Sequence, residues 1–431
     1  MRDSIYSVSG IIVVSGVLAL LITLSALVAR DAQAADERPG TVITLKPDAL
    51  PAPIEKPFTL NLPKLLDSRP DGVLAVPEGF SSNVYADKLT HPRKLKSTPN
   101  GDILLAESKP GKITLLRDTN ADGKADLVET FAEGFKTPYG IALAYGGVYI
   151  ADLDGVWRIP YQPGDTKARA PQQRITPEGS FGKLGGHATR NIIFSPDLSQ
   201  LYVSIGSSGN ILEDPAPRAT IQVFDMDPTG AHASNQRTFA SGIRNAVGIA
   251  FYPGTENLYA AVNERETLGD EIVPDYVTRV VEGKFYGWPY SYLGQRPQPG
   301  FADKRPDLVK VAVMPDVLLR AHSAPLGMTF YAGSAFPVPY RTGAFVALHG
   351  SGAAVAPRSY YVVYIPFKDG KPAGGYQVFT SGLWVDGVSP AQVLGRPTDV
   401  EVAADGSLLI ADDTSNRIWR VSYGLPKSPT H

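Results

Sequence analysis

The 431-residue chain has no cysteine. That excludes disulfides, thiolate metal sites and covalently attached c-type haem, and it is compatible with any redox compartment. Net charge is small: 41 Lys and Arg against 43 Asp and Glu give −2, with no basic stripe. Nucleic acid is therefore not an expected partner. No convincing Ser-His-Asp set, P-loop or post-strand GxGxxG is present. Helical periodicity is missing as well, which removes a helical solenoid. Histidine is scarce, at six residues.

Glycine (42) and proline (37) are plentiful, which implies many turns and short elements. A hydrophobic share of 43% with 19% charged residues fits a globular chain of one large or two ordinary domains. Residues 4–29 carry no charge, and 11–29 (IIVVSGVLALLITLSALVA) is a nearly continuous apolar run. It is long enough to span a bilayer. Ala32-Gln33-Ala34 also supplies a small-residue cleavage site before Ala35. Residues 1–34 read as a cleaved signal or a retained membrane anchor. Either exports the rest, which places the protein in the periplasm, outside the cell, or on the outer face of the cytoplasmic membrane. Residues 35–79 are proline-rich and read as an extended linker lying on the main domain. Residues 425–431 form a short tail.

Between 80 and 424 one phrase returns six times: an apolar strand, a tight turn, and a second strand ending in a small or acidic residue. The last copy, RPTDVEVAADGSLLIADDTSNRIWRV, and the first, HPRKLKSTPNGDILLAESKPGKITLLRD, are the clearest. Further strand-like segments follow most copies, for example YYVVYIPF after the fifth. About four strands per repeat of roughly 40 to 60 residues predicts an all-β, six-bladed β-propeller. Six returns of one phrase speak against a β-sandwich.

In a blade, residues just before the first strand and just after the second share one face around the central channel. The first set is Arg93, Tyr139, His187 with Arg190, Arg244 with Asn245, and Arg396. The second is Glu107, Asp152, Ser207, Asn263 with Glu264, His349, and Asp412 with Asp413. Convergent polar groups around a concave opening are a binding-site expectation. Asp and Asn at strand ends also cap turns. The arginines suggest an anionic ligand, because guanidinium matches carboxylate bidentately. DTNADGKAD (118–126) spaces Asp118, Asn120, Asp122 and Asp126 for a possible structural calcium site, with Glu129 at the twelfth loop position of an EF-hand count. A polar turn is the alternative.

The motifs GHATRNIIFSPDLSQLYVSIGSS, SGIRNAVGIAFYP, NERETLGDEIVPDYVTRVVEGKFYGWPY, FVALHGS and GRPTDVEVAADGSLL resemble those of quinoprotein sugar dehydrogenases of the soluble glucose dehydrogenase and sorbosone dehydrogenase type. FVALHGS and DYVTRV lean to the sorbosone branch. The resemblance implies pyrroloquinoline quinone (PQQ) and calcium as cofactors, a sugar or sugar-derived aldehyde or alcohol as substrate, and an external electron acceptor such as a cytochrome or the quinone pool. It implies His187 as general base and Arg244 at the quinone carbonyl. Asn245, Arg396 and His349 are implied cofactor contacts, and Tyr139 and Arg190 of the channel-facing set are expected to bind the cofactor as well. The backbone carbonyls of Glu264, Arg265 and Glu266 are implied calcium ligands. Ser207 stands where the glucose branch has an acidic residue that orients the base, and Val247 where it has glutamine. Gly209 and Leu212 stand near where the sorbosone branch has cysteines. The competing readings are a calcium-dependent lactonase or other hydrolase built on Glu107, Asp152, Glu264 and Asp412, and a propeller that only binds. His91 and His232 read as structural or solvated, His322 as able to reach the channel face, and Trp288 and Trp384 as packing residues.

Overall fold

The computed structural model describes residues 37–66 and 74–424. The expected leader or anchor (1–34) and the tail (425–431) lie outside the described residues. The rest is nearly all β. Six antiparallel four-stranded meanders follow one another along the chain. Sheet I is Pro92–Ser97, Ile103–Glu107, Lys112–Arg117 and Leu127–Glu133. Sheet II is Ile141–Ala144, Gly147–Ala151, Val156–Pro160 and Gln173–Arg174. Sheet III is Arg190–Phe194, Gln200–Ile205, Thr220–Met226 and Ala233–Ser241. Sheet IV is Ala246–Phe251, Leu258–Val262, Pro274–Val280 and Val317–Ala321. Sheet V is Pro325–Phe330, Gly343–Leu348, Tyr361–Lys368 and Tyr376–Val378. Sheet VI takes Pro397–Val402, Leu408–Asp412 and Arg417–Tyr423 from the end of the chain, and Phe80–Ala86 from its beginning as the outer strand. Pairing Phe80 with Tyr423 ties the two ends of the ring together.

The strand patterns explain the ring. Ile103–Glu107 is buried along its whole length, because both faces of the sheet are covered. Its alternate residues go to different neighbours: Leu104 and Ala106 join the core between sheets I and II, Ile103 and Leu105 the core between VI and I. Equivalent apolar cores fill the gaps II–III, III–IV, IV–V and V–VI. A sheet that buries both faces against like neighbours is stable only when the series closes, and the arrangement is that of a β-propeller. Along the axis the first strands pack closely. A Cβ on Gly248 would lie 2.5 Å from the Leu326 carbonyl oxygen, and one on Gly327 1.9 Å from Asp399 Oδ1. Tyr139, Val247 and Leu326 plug the axis as a small apolar contact.

Residues 37–66 run along the ring surface. Val42–Ile43 pairs with the outer strand of sheet V, and Lys64–Leu65 runs parallel to Gln392–Val393. Between them the backbone N–H groups of Ile54, Lys56 and Asn61 donate to Leu268, Thr267 and Gly352. These are loops after the second strands of sheets IV and V, so this strap crosses the face on which the site lies.

Candidate active site

The start of each first strand pairs with the end of its second: Pro92 with Glu107, Arg190 with Ile205, Ala246 with Val262, Pro397 with Asp412. Both sets of residues therefore do share one face, the channel mouth. Neighbouring sheets are stitched there by side-chain and backbone bonds. Ser108 Oγ donates to Pro138 O (2.6 Å), Gly140 N to Arg190 O (2.9 Å), Ser207 N to Arg244 O (2.8 Å) and Arg396 Nε to His349 O (2.8 Å).

His187 leads into the first strand of sheet III. Its Nδ1 is 2.9 Å from the Ser207 carbonyl oxygen and 3.1 Å from Ser207 Oγ. The Ser207 hydroxyl donates to Gly209 O at 2.7 Å, so it can only accept from the imidazole. A carbonyl can only accept too. Nδ1 therefore carries the proton, and Nε2 keeps its lone pair. Burial, then the positive charge of Arg244, push the imidazole down to about 3, so the neutral base persists well into acid. Ser207 thus orients the imidazole through its backbone and hydroxyl.

Arg244 is buried and clasped. Its Nε and Nη2 donate to Asn210 O (3.0 Å) and Asn210 Oδ1 (3.1 Å), and its Nη1 reaches Asn263 O (3.4 Å). Burial lowers its pKa. Asn245 and His187 flank Gly206: a Cβ there would meet Asn245 Oδ1 at 2.3 Å and His187 Cβ at 2.8 Å. Arg190 is 1% exposed and donates from Nη1 to His187 O (2.7 Å) and Thr189 O (2.9 Å). Burial, then Arg218, lower it to about 10. Its Nε and Nη2, the Asn245 Oδ1 and the Tyr139 hydroxyl have no partner among the described residues.

A second cluster faces the mouth from sheets V, VI and I. Asp413 accepts from His349 Nε2 (2.9 Å) and Arg93 Nη1 (2.8 Å), with His91 Nε2 at 3.5 Å. Burial raises Asp413, but His349 and Arg93 outweigh it and hold the carboxyl well below its usual range. Burial, then Arg396, lower His349 to about 4, so it is a neutral donor to an ionised carboxylate. Arg396 holds the loop through His349 O and Gly350 O (2.8 Å each) and packs over Tyr360. Arg93 lies 5.7 Å from the Tyr139 ring. The mouth is therefore cationic, with buried donors still unpaired. Those residues fit an anionic polycarboxylate such as PQQ.

Several expectations need correction. Glu107, Asp152 and Asp412 do not line an open funnel. Glu107 takes the Thr90 N–H, the Thr114 hydroxyl and Lys112. Asp152 takes the N–H groups of Lys136, Asp154 and Gly155. Asp412 takes those of Arg396, Thr414 and Ser415, and Trp419 Nε1. They cap chain crossings, and among the described residues no group of three or more His, Asp or Glu is placed to hold a metal. The hydrolase reading loses its ligand set. His349 spends Nε2 on Asp413, so any cofactor contact falls to its other edge. His91, read as structural or solvated, sits at the edge of this cluster and takes the structural reading.

The loop at 264–266 is also tied down. Asn210 donates to Glu266 O (3.1 Å) and accepts from Glu266 N (2.9 Å). Arg244 lies beside it and Arg265 belongs to it, both lowered by burial. Of the three carbonyls, that of Glu266 is taken by the Asn210 amide, so a dication bound through them would have to share or displace that bond. Burial raises Glu264 and Asp275 to about 7. Asn210 joins Arg244, this loop and Trp288 Nε1 (3.2 Å), yet nothing in its local sequence marks it; only its position between two loops distant in the chain gives it a role. Trp288 is accordingly more than packing. His322 Nε2 sits 3.0 Å from Gly269 O at the mouth.

The Asp118 loop lies on the opposite face. Asp118 accepts from Asp122 N and Gly123 N, Asp122 from Lys124 N, and Asp126 from Thr119 N. Glu129 is on the fourth strand of sheet I and pairs with Lys167 (3.4 Å). The EF-hand count therefore fails at its twelfth position, and the loop is a self-bonded polar turn.

A family model described as TrAA12-like matches residues 74–278 and 300–424. An uncharacterized protein of Borreliella burgdorferi is 27% identical over 364 residues, 81% of this chain and 91% of that protein. The pyrroloquinoline quinone-dependent pyranose dehydrogenase of Coprinopsis cinerea is 26% identical over 405 residues, 80% of this chain and 54% of that protein, so the chain spans about half its length. Among solved structures, the holo PQQ domain of the Coprinopsis cinerea pyranose dehydrogenase superposes with a TM-score of 0.66 at 21% identity, covering 84% of this chain and all of that one. A calcium structure of a Trichoderma reesei carbohydrate-active enzyme of family AA12 gives 0.67 at 16% identity, covering 82% and 97%. These likenesses establish a shared fold.

Proposed function

Because the chain belongs to the TrAA12-like family, we propose that it is a six-bladed quinoprotein oxidoreductase that oxidises a sugar or a sugar-derived aldehyde or alcohol and passes the electrons to an external acceptor. The observation that carries the reading is His187: a neutral imidazole with its proton fixed on Nδ1 by Ser207, set beside Arg244 at a cationic mouth.

Bound PQQ supplies the acceptor for the hydride that leaves the substrate carbon. The chain's own residues do the rest. His187 Nε2 takes the proton of the substrate hydroxyl as the C–H bond breaks, and the Nδ1–H···O=C bond to Ser207 steadies the imidazolium that forms. Arg244, fixed by Asn210, offers positive charge where negative charge develops on the acceptor's oxygen. Arg190 and Arg396 would hold the cofactor's carboxylates. The Tyr139–Val247–Leu326 plug closes the channel beneath and keeps bulk water from that side. Motifs of the sorbosone branch favour a sugar aldehyde over a simple alcohol. Electrons leave to a separate carrier, since a chain without cysteine cannot carry a covalently attached c-type haem.

The test is dye-linked oxidation of a panel of aldoses, pyranoses, sorbosone and simple alcohols by purified apoprotein. PQQ is added with and without calcium, and His187→Ala serves as control. Activity appearing only with PQQ and lost in the variant is the expected result. No difference absorbance on adding PQQ would end the proposal. A calcium requirement would show that the 264–266 loop opens to a metal.

A further inference from the structure

We propose that the strap side of the channel mouth is a membrane-docking surface, seated on the lipid bilayer that the apolar run 11–29 spans. Three observations place it there. First, the strap is apolar outward. Ile54, Phe58, Leu60 and Leu62 are exposed, Phe58 by 56% and Leu60 by 61%, and so are Val355 (67%) and Val388. These residues are contiguous. The Asn61 amide donates to Ala354 O (3.0 Å) and Val388 O (3.2 Å) and reaches Val355 O (3.4 Å), and Phe58 and Val355 line one small cavity with His322. Soluble monomers rarely leave such a patch uncovered.

Second, the tether arrives at this patch. Seven residues, 30–36, separate the apolar run from Glu37, a reach of at most about 29 Å. Glu37 accepts from Ser359 N (3.2 Å), at the end of the loop that carries Val355. A run spanning the bilayer therefore holds this side of the mouth against the membrane surface. Among the described residues no helix is long and apolar enough to cross a membrane.

Third, the strap suits an interface. The N–H groups of Ile54, Lys56 and Asn61 are already bonded to the ring, so shallow insertion leaves these donors satisfied. Lys56 and Lys64 are exposed among the apolar residues and can reach anionic headgroups while their stems lie on the apolar surface. His187 enters from sheet III, whereas the strap is bonded to loops of sheets IV and V.

The cysteine-free sequence makes the test clean. Single variants Leu60→Cys and Val355→Cys, with Val338→Cys in the turn between the first two strands of sheet V on the opposite face, are nitroxide-labelled in the full-length protein and reconstituted into liposomes. The ratio of collision rates with oxygen and with a water-soluble nickel chelate is then compared. Docking predicts a severalfold higher ratio at 60 and 355 than at 338. Equal, water-like ratios at all three overturn the proposal. So does low accessibility to both reagents at 60 and 355, which would mean that protein covers the patch. Intact mass of the protein from the membrane fraction is the second arm: a chain beginning at Ala35 overturns it. Neither arm reads the redox reaction, so failure here leaves the quinoprotein proposal standing.

Discussion

The protonation of His187 offers the most direct test of the site. An ordinary imidazole near 6.5 is about 97% protonated at pH 5, whereas one near 3 is about 1% protonated. Burial and Arg244 put His187 at about 3. In histidine-labelled protein, with the His187→Gln spectrum subtracted for assignment, the His187 resonances should stay those of a neutral ring with the proton on Nδ1 from pH 8 down to about 4. Arg244→Gln removes the second cause and leaves the first, so the midpoint should rise yet remain below 6.5. The reconstituted enzyme should keep an acid limb flat through pH 6, because lowering the base's pKa extends the neutral form downward. A wild-type midpoint between 6 and 7, or the Nε2–H tautomer, would refute both the burial argument and the role given to Ser207.

Folding stability should carry the same signature. The folded state resists protonating His187 while the unfolded chain accepts a proton near 6.5, so this contribution is full above that pH and is lost as pH falls toward 3. His187→Gln should therefore show a shallower acid-side decline in denaturant midpoint than wild type. Gly206→Ala places a Cβ 2.3 Å from Asn245 Oδ1 and 2.8 Å from His187 Cβ. Overpacking of about 1–3 kcal/mol and a kcat loss of about 100-fold from a misplaced base are expected, and unchanged kinetics would contradict the geometry. Asn210→Ala removes two bonds to Glu266 and one to Arg244, a loss of about 3 kcal/mol, seen as faster hydrogen exchange across residues 264–268 and a lower Tm. Asp152→Ala orphans three backbone N–H groups and should cost stability, about 1–3 kcal/mol, while PQQ binding stays intact. Lost binding with unchanged Tm would return Asp152 to the site.

The sheets were legible in the sequence because a strand's alternation is a local property. Ile103–Glu107 and Leu408–Asp412 are apolar on both faces, and a strand with two buried faces needs a sheet on each side. Six repetitions of that demand leave a closed ring as the natural solution. His187, Arg244 and Arg396 were legible too, since a position relative to the first strand decides which end of the channel a residue occupies. What their neighbours do was not legible. Whether Glu107, Asp152 and Asp412 meet a ligand or cap a crossing depends on which N–H groups the fold brings within 3 Å, and some of those come from elsewhere in the chain. The same holds for Asn210 and Glu266, 56 residues apart and doubly bonded, and for Asp413, whose partners His349 and Arg93 lie in two other sheets. Sequence alone determined the ring and the end of it on which the candidate site lies. Tertiary structure decided which polar groups at that end are already satisfied, because hydrogen-bond satisfaction is a property of three-dimensional neighbours and not of periodicity.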